Sequence, residues 1–71
     1  MIILLESDFN LGDIVSKSVD SENRALMVTG FVIHSLDSSG QVNHYSILCS
    51  DGDGNIVDYK AYELKRQEIA Y

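Results

Sequence analysis

Three groups of residues in this 71-residue chain are of types that do chemistry. The first is Asp51-Gly52-Asp53-Gly54-Asn55, which has the alternating oxygen donors that open a calcium loop, D-x-D-x-[DN]. The pattern fails further on. Ile56 stands where such a loop needs glycine, and Tyr62 stands where it needs a bidentate glutamate. The flanking runs have the character of strands, and a calcium loop needs helices. Asp-Gly and Gly-Asn are also favoured hairpin residues, so the stretch reads as a hairpin turn. The second group is His34, His44 and Cys49, the nitrogen and sulfur donors for a transition metal. They have no C-x-x-C or H-x-x-x-H spacing, and structural zinc takes four ligands. The third is the set of serines, histidines and aspartates from which nucleophilic sites are made. No serine lies in a glycine-flanked nucleophile turn. Cys49 and His44 are five residues apart, which points them to opposite sides of one strand. The chain is therefore expected to be no enzyme and to hold no cofactor and no metal.

Whatever positions these side chains has to be built from short strands. Turn clusters recur along the chain: Gly12-Asp13, Asp20-Ser21-Glu22-Asn23, Asp37-Ser38-Ser39-Gly40 and residues 50–55. Such spacing predicts an all-β barrel or sandwich. Leu26–Leu36 is rich in Val, Ile and Phe, which suit a pleated surface. On a period of two, Met27, Thr29, Phe31 and Ile33 share one side, and Val28, Gly30, Val32 and His34 the other. The first side is bulkier and is assigned to the core. Residues 41–49 place Tyr45, Ile47 and Cys49 together, with His44 and Ser46 opposite. Cys49 then reads as a buried small hydrophobe, and the two histidines as exposed. Gly30 marks a bend or bulge that lets a sheet curl. Residues 56–60 predict a shorter strand, 61–64 one helical turn, and 65–69 a last strand. The aliphatic run at residues 2–5 would be a liability if bare, so it is expected to be covered. Residues 1–8 are read as an extra edge strand or a dimer contact.

Size and charge set bounds on function. The length supports one domain, residues 1–71, whose core supplies only about 3–5 kcal/mol. A deep enclosed site would compete with that core for volume. Eleven acids against five cations give a net charge of −6, and within residues 1–59 Lys17 and Arg24 are the only cations. A nucleic-acid binder carries a basic stripe, which this chain lacks. The acidity also repels anionic membranes. Lys60, Lys65 and Arg66 are interleaved with Glu63 and Glu68 and read as a solvated edge. With Cys49 as the one cysteine there is no internal disulfide, which fits a reducing compartment. The N-terminal apolar run is short and has no basic flank, and no stretch approaches the roughly 20 apolar residues of a membrane span. The expected location is cytoplasmic.

Phe9-x-x-Gly12-Asp13-x-Val15 followed by Arg24-x-x-x-Val28-Thr29-Gly30 resembles small uncharacterised bacterial and prophage-type proteins. Looser likenesses are Tyr45-Ser46-Ile47-Leu48-Cys49-Ser50 and the run from Asp58 to Leu64. The strand, hairpin, short-helix, strand order also resembles the Src-homology-3-like and Tudor-type barrels. The resemblance spans residues 9–66 and implies a fold: five strongly curved antiparallel strands closing into a small barrel, with a helical turn before the last. It implies no activity. The chain departs from the pattern at Lys17, where an aliphatic is usual, and in lacking a proline near the hairpin tip.

Tudor-type barrels use aromatic cages for methylated cations. Phe31 and Tyr45 fall on assigned core sides here, leaving Tyr59 and Tyr62, with Asp58, as a contact patch. The expected function is a non-catalytic protein-interaction module. It would bind a protein partner, or a second copy of itself through residues 2–5, along a strand edge or at Asp58, Tyr59 and Tyr62. The alternative is an acidic inhibitor or nucleic-acid mimic acting on a DNA- or RNA-binding protein.

Overall fold

The computed structural model describes residues 2–67. It contains β1 (Ile14–Lys17), β2 (Leu26–Leu36), β3 (Val42–Ser50), β4 (Ile56–Tyr59), a 3-10 turn at Ala61–Glu63, and β5 (Leu64–Arg66). All strands pair antiparallel in one sheet of order β4-β3-β2-β1-β5. The helical turn and last strand thus fall where the sequence predicts them, although Glu68 and Ile69 lie outside the described residues.

An aspartate at each turn explains why the chain reverses there. The Asp20 carboxylate accepts the Glu22 and Arg24 amides at 3.0 and 3.2 Å, and Asn23 takes a positive φ of 50°. Asp37 accepts the Ser39 and Gln41 amides at 2.9 and 3.0 Å. Asp51 accepts the Asp53 and Asn55 amides at 2.8 and 3.3 Å. Gly52 and Gly54 supply the left-handed backbone, with φ of 89° and 92°, that the β3–β4 turn requires.

Val15, Leu26, Val28, Ile47, Cys49 and Leu64 form the core, with Phe9 from the segment before β1. Phe31, Tyr45, Tyr59 and Ala61 pack against its margin, Phe31 and Tyr45 edge to face at 6.2 Å. Tyr45, Ile47 and Cys49 share a side, as their spacing predicts.

The expected core side of β2 is wrong in its first half. Leu26 and Val28 are buried, while Met27 and Thr29 are exposed. The cause is a bulge. Val28 lies opposite Cys49 but Gly30 lies opposite Leu48, so Thr29 is an extra residue in the ladder. Past it the phase changes, and Phe31, opposite Ile47, rejoins the core side. The bend expected at Gly30 is therefore present one residue earlier.

Two further expectations are corrected. The sheet is open, because no ladder joins β4 to β5. Closure needs edges long enough to pair with a consistent stagger, and these edge strands have four and three residues. Of residues 2–5, only Leu5 is even half-buried. Leu4 makes one parallel bridge to Gln41, through bonds to Gly40 and Val42, with no strand around it. Ile2 is 78% exposed, and Ile3 and Leu4 about half.

Ile47 is fully buried and Met27 is half exposed. Ile47→Val is expected to cost about 0.5–1.5 kcal/mol in urea unfolding. Met27→Ala should stay within about 0.5 kcal/mol. The reverse order would place the core on the other side of β2.

Candidate functional site

The alternation of β4 separates the three residues singled out as a contact patch. Tyr59 lies opposite Ile47 and takes the core side, half-buried. Asp58 lies opposite Leu48 and takes the other side, exposed. The chain then turns at Lys60, whose amide donates to the Glu63 carboxylate at 2.9 Å, and the 3-10 turn carries Tyr62 back beside Tyr59. Two bonds fix the far wall. The Ser18 amide donates to the Glu63 carbonyl at 2.8 Å, and the Ser18 hydroxyl to the Tyr62 carbonyl at 3.1 Å. Tyr59 and Tyr62 therefore meet Lys17, Ser18 and Val19 in a groove of about 380 Å³.

A larger hollow of about 670 Å³ shares Lys17, Val19 and Tyr59 with that groove, so the two are neighbours. Its remaining walls come from Leu26 at the start of β2 and from two turns: Asp20, Arg24 and Ala25 between β1 and β2, and Asp51 and Asp53 between β3 and β4. The Lys17 ammonium sits 5.8 Å from the Tyr59 ring centre, in cation–π range. Arg24 pairs with Glu22 at 2.8 Å. The β1–β2 side thus carries both signs, Lys17 and Arg24 beside Asp20, and the β3–β4 side carries carboxylates. Tyr62 is 77% and Val19 93% exposed.

The structure joins Tyr59 to Tyr62 and leaves Asp58 out of the groove lining. The β1–β2 loop that forms the opposite wall was not among the expected site residues. Its partners lie some forty residues away in sequence, beyond any spacing rule. A signal existed, since Lys17 and Arg24, the only cations of residues 1–59, bracket that loop.

The other chemical groups are committed elsewhere. Both oxygens of Asp51 are occupied within its own turn, one by backbone amides and one by the Asn55 side-chain amide at 2.9 Å. This is the hairpin reading of the stretch. His34 and His44 are exposed, and their rings lie 4.9 Å apart across the β2–β3 hairpin. His34 Nε2 is 2.8 Å from the Ser46 hydroxyl, and His44 Nε2 accepts from the Lys60 ammonium at 3.3 Å. Cys49 is a buried free thiol, and burial pushes its pKa up, away from the nucleophilic form. Among the described residues no group of three or more His, Cys, Asp or Glu side chains is placed to hold a metal.

Comparison of the chain with protein-family models, with curated proteins and with solved structures finds no match to any of them. Among the described residues no helix is long and apolar enough to cross a membrane.

Hydrogen bonds set the acid behaviour of the turns. Asp20 is held below the ordinary carboxylate value of 3.8, chiefly by the Glu22 and Arg24 amides. Asp51 is lowered by the Asn55 side chain and then the Asp53 amide, and Asp37 by the Ser39 hydroxyl and then the Gln41 amide. A carboxylate whose folded pKa is depressed contributes stability that is complete above the unfolded value and is lost as pH falls through the folded one. The urea midpoint is expected to hold from neutral pH down to about 5 and to decline below about 4. Asp51→Asn should flatten that decline. An acid limb identical in the variant would detach the turn from the effect.

Proposed function

We propose that the protein is a non-catalytic interaction module of the cytoplasm, with a Src-homology-3-like arrangement. It binds an extended segment of a protein partner in the groove between the β1–β2 loop and the 3-10 turn. Five antiparallel strands with a 3-10 turn ahead of the last support the fold reading. The free thiol of Cys49 supports a reducing compartment.

The observation that carries the binding reading is the meeting of Tyr59, Tyr62 and Lys17 in one open groove. Tyrosine is among the residues enriched at binding hot spots, because it combines large contact area with a polar tip. Here one ring is anchored on the core and the other is presented to water beside an exposed valine. The adjoining hollow is lined by Lys17 and Arg24 together with the carboxylates of Asp20, Asp51 and Asp53, which fits a peptide with polar and charged residues beside an apolar one.

The alternative, an acidic inhibitor or nucleic-acid mimic, rests on net charge alone. Asp13, Asp20, Asp37, Asp51 and Glu63 each accept a backbone amide in a turn, so much of the acidity has a local structural use.

Selection of random 12-residue peptides on the immobilised protein is expected to enrich binders. Tyr62→Ala should weaken them about tenfold or more, the scale of a hot-spot truncation, with the urea midpoint unchanged. Asp58→Ala should leave binding within about twofold. Binders that tolerate Tyr62→Ala but lose affinity with Asp58→Ala would move the site to the opposite side of β4.

A further inference from the structure

Asp20, Asp37, Asp51 and Asp53 are each followed by a small residue, in the pairs Asp20-Ser21, Asp37-Ser38, Asp51-Gly52 and Asp53-Gly54. At such a pair little shields the next amide nitrogen, which is then able to attack the aspartate side chain. Glycine permits this best, because it has no Cβ and the freest backbone. Asp37, Asp51 and Asp53 are exposed and Asp20 is half-buried.

The fold treats these carboxyl groups differently. Asp20 accepts the Glu22 and Arg24 amides, and Asp37 accepts those of Ser39 and Gln41. Asp51 accepts the Asp53 and Asn55 amides on one oxygen and the Asn55 side chain on the other. Among the described residues Asp53 accepts no hydrogen bond and joins no ion pair. The attacking nitrogens of the two glycine pairs divide in the same way. The Gly52 amide donates to the Ser50 hydroxyl at 3.3 Å. The Gly54 amide donates to no acceptor among the described residues. Both reacting groups are thus engaged at Asp51-Gly52 and both are unengaged at Asp53-Gly54. A side chain at Gly54 would meet nothing within 4 Å, so there is room around the backbone for a ring to close.

We propose that Asp53 is a site of spontaneous self-modification, where the Gly54 amide nitrogen closes on the Asp53 carboxyl and the chain rearranges to isoaspartate, while Asp20, Asp37 and Asp51 are held back by their turns. In the first step the nitrogen bonds to Cγ of the protonated carboxyl. The Cγ hydroxyl and the amide proton leave as water, and a five-membered succinimide remains. Water then adds to one of its two carbonyls. Cleavage of the bond from nitrogen to Cγ restores aspartate. Cleavage of the bond from nitrogen to the backbone carbonyl carbon leaves the main chain running through Cγ, with the former backbone carbonyl as the free carboxylate. One water leaves and one returns, and nothing is oxidised or reduced. Hydrogen bonds to a carboxylate oppose the first step in two ways. They favour the ionised form, which has no hydroxyl to lose. They also aim the side chain at amides two and four residues ahead and away from the next one.

Isoaspartate inserts a methylene carbon into the backbone of the β3–β4 turn. That turn is closed by the Asp51 amide on the Asn55 carbonyl at 3.2 Å, and it precedes a strand of four residues. Asp53 also lines the larger hollow, so its rearrangement reshapes one wall there. None of this depends on what the groove or the hollow binds.

Ageing of the full chain at neutral pH in water enriched in heavy oxygen tests the proposal, because each succinimide that opens takes up one heavy oxygen, which peptide mass spectrometry locates. Label at Asp53 is expected to exceed that at Asp51 about tenfold or more, the factor set by giving up one charge-assisted hydrogen bond before attack. Asp20 and Asp37 should carry less than Asp53. In urea the turn bonds are gone, and the two Asp-Gly pairs should label at like rates. Ser50→Ala combined with Asn55→Ala frees the Gly52 amide and one Asp51 oxygen, and should raise label at Asp51 toward that at Asp53. A carboxyl methyltransferase specific for isoaspartate should methylate the aged chain at residue 53 and leave fresh chain unmodified. Equal label at Asp51 and Asp53 in the folded chain, a ratio unchanged by urea, or an aged chain that the methyltransferase does not modify would overturn the proposal.

Discussion

The β2–β3 ladder is the one long-range pairing on which the other elements depend. β1 and β5 attach to one side of it and β4 to the other, and each of those strands has four residues or fewer. None of them could hold a register by itself. Ile47 and Cys49 on β3, with Val28 on β2, supply the buried centre of the ladder, and Val15 and Leu64 complete it from the flanks. The Thr29 bulge is what makes this arrangement work. Without the extra residue, Val28 and Phe31 would point to opposite sides, and the core would lose one of them to solvent.

That bulge also explains where the sequence could be read and where it could not. The turns were legible because their chemistry is local. Asp20, Asp37 and Asp51 bond to amides two to four residues ahead, and glycines sit where the backbone is left-handed. The sides of β3 were legible because its alternation is unbroken through Tyr45, Ile47 and Cys49. The sides of β2 were not, because a period of two applied across an inserted residue inverts half of the assignment. Met27 is bulkier than Val28, yet bulk does not decide burial where phase does. Whether the sheet closes was also beyond reach, since it depends on the pairing of two short edges that are distant from one another in geometry.

The candidate site divides in the same way. Tyr59 and Tyr62 are three residues apart, and a turn between them brings them together, so their association follows from local structure. Their companions Lys17 and Val19 join them through the β1–β5 pairing, which sets Lys17 opposite Leu64, and through the bonds from Ser18 to the 3-10 turn. No local pattern encodes a contact between residues 18 and 62. Asp58 was grouped with the tyrosines by proximity in sequence, and the alternation of β4 separates it from Tyr59.

The place of β1 in the sheet has a kinetic meaning. It is the first strand among the described residues, yet it lies between β2 and β5, and β5 is the last of them. Phe9, just before β1, is buried in the core, and the Arg66 side chain, after almost the whole chain has gone by, donates to the Asp8 carbonyl at 2.7 Å. Opening segment and closing strand are thus knitted to each other. During folding the hairpin of β2 and β3 can form from neighbouring residues, but β1 keeps one flank bare until β5, some fifty residues further on, pairs with it. Such a topology puts much of its ordering cost ahead of its reward, because the pairing that completes the sheet closes the longest loop in it.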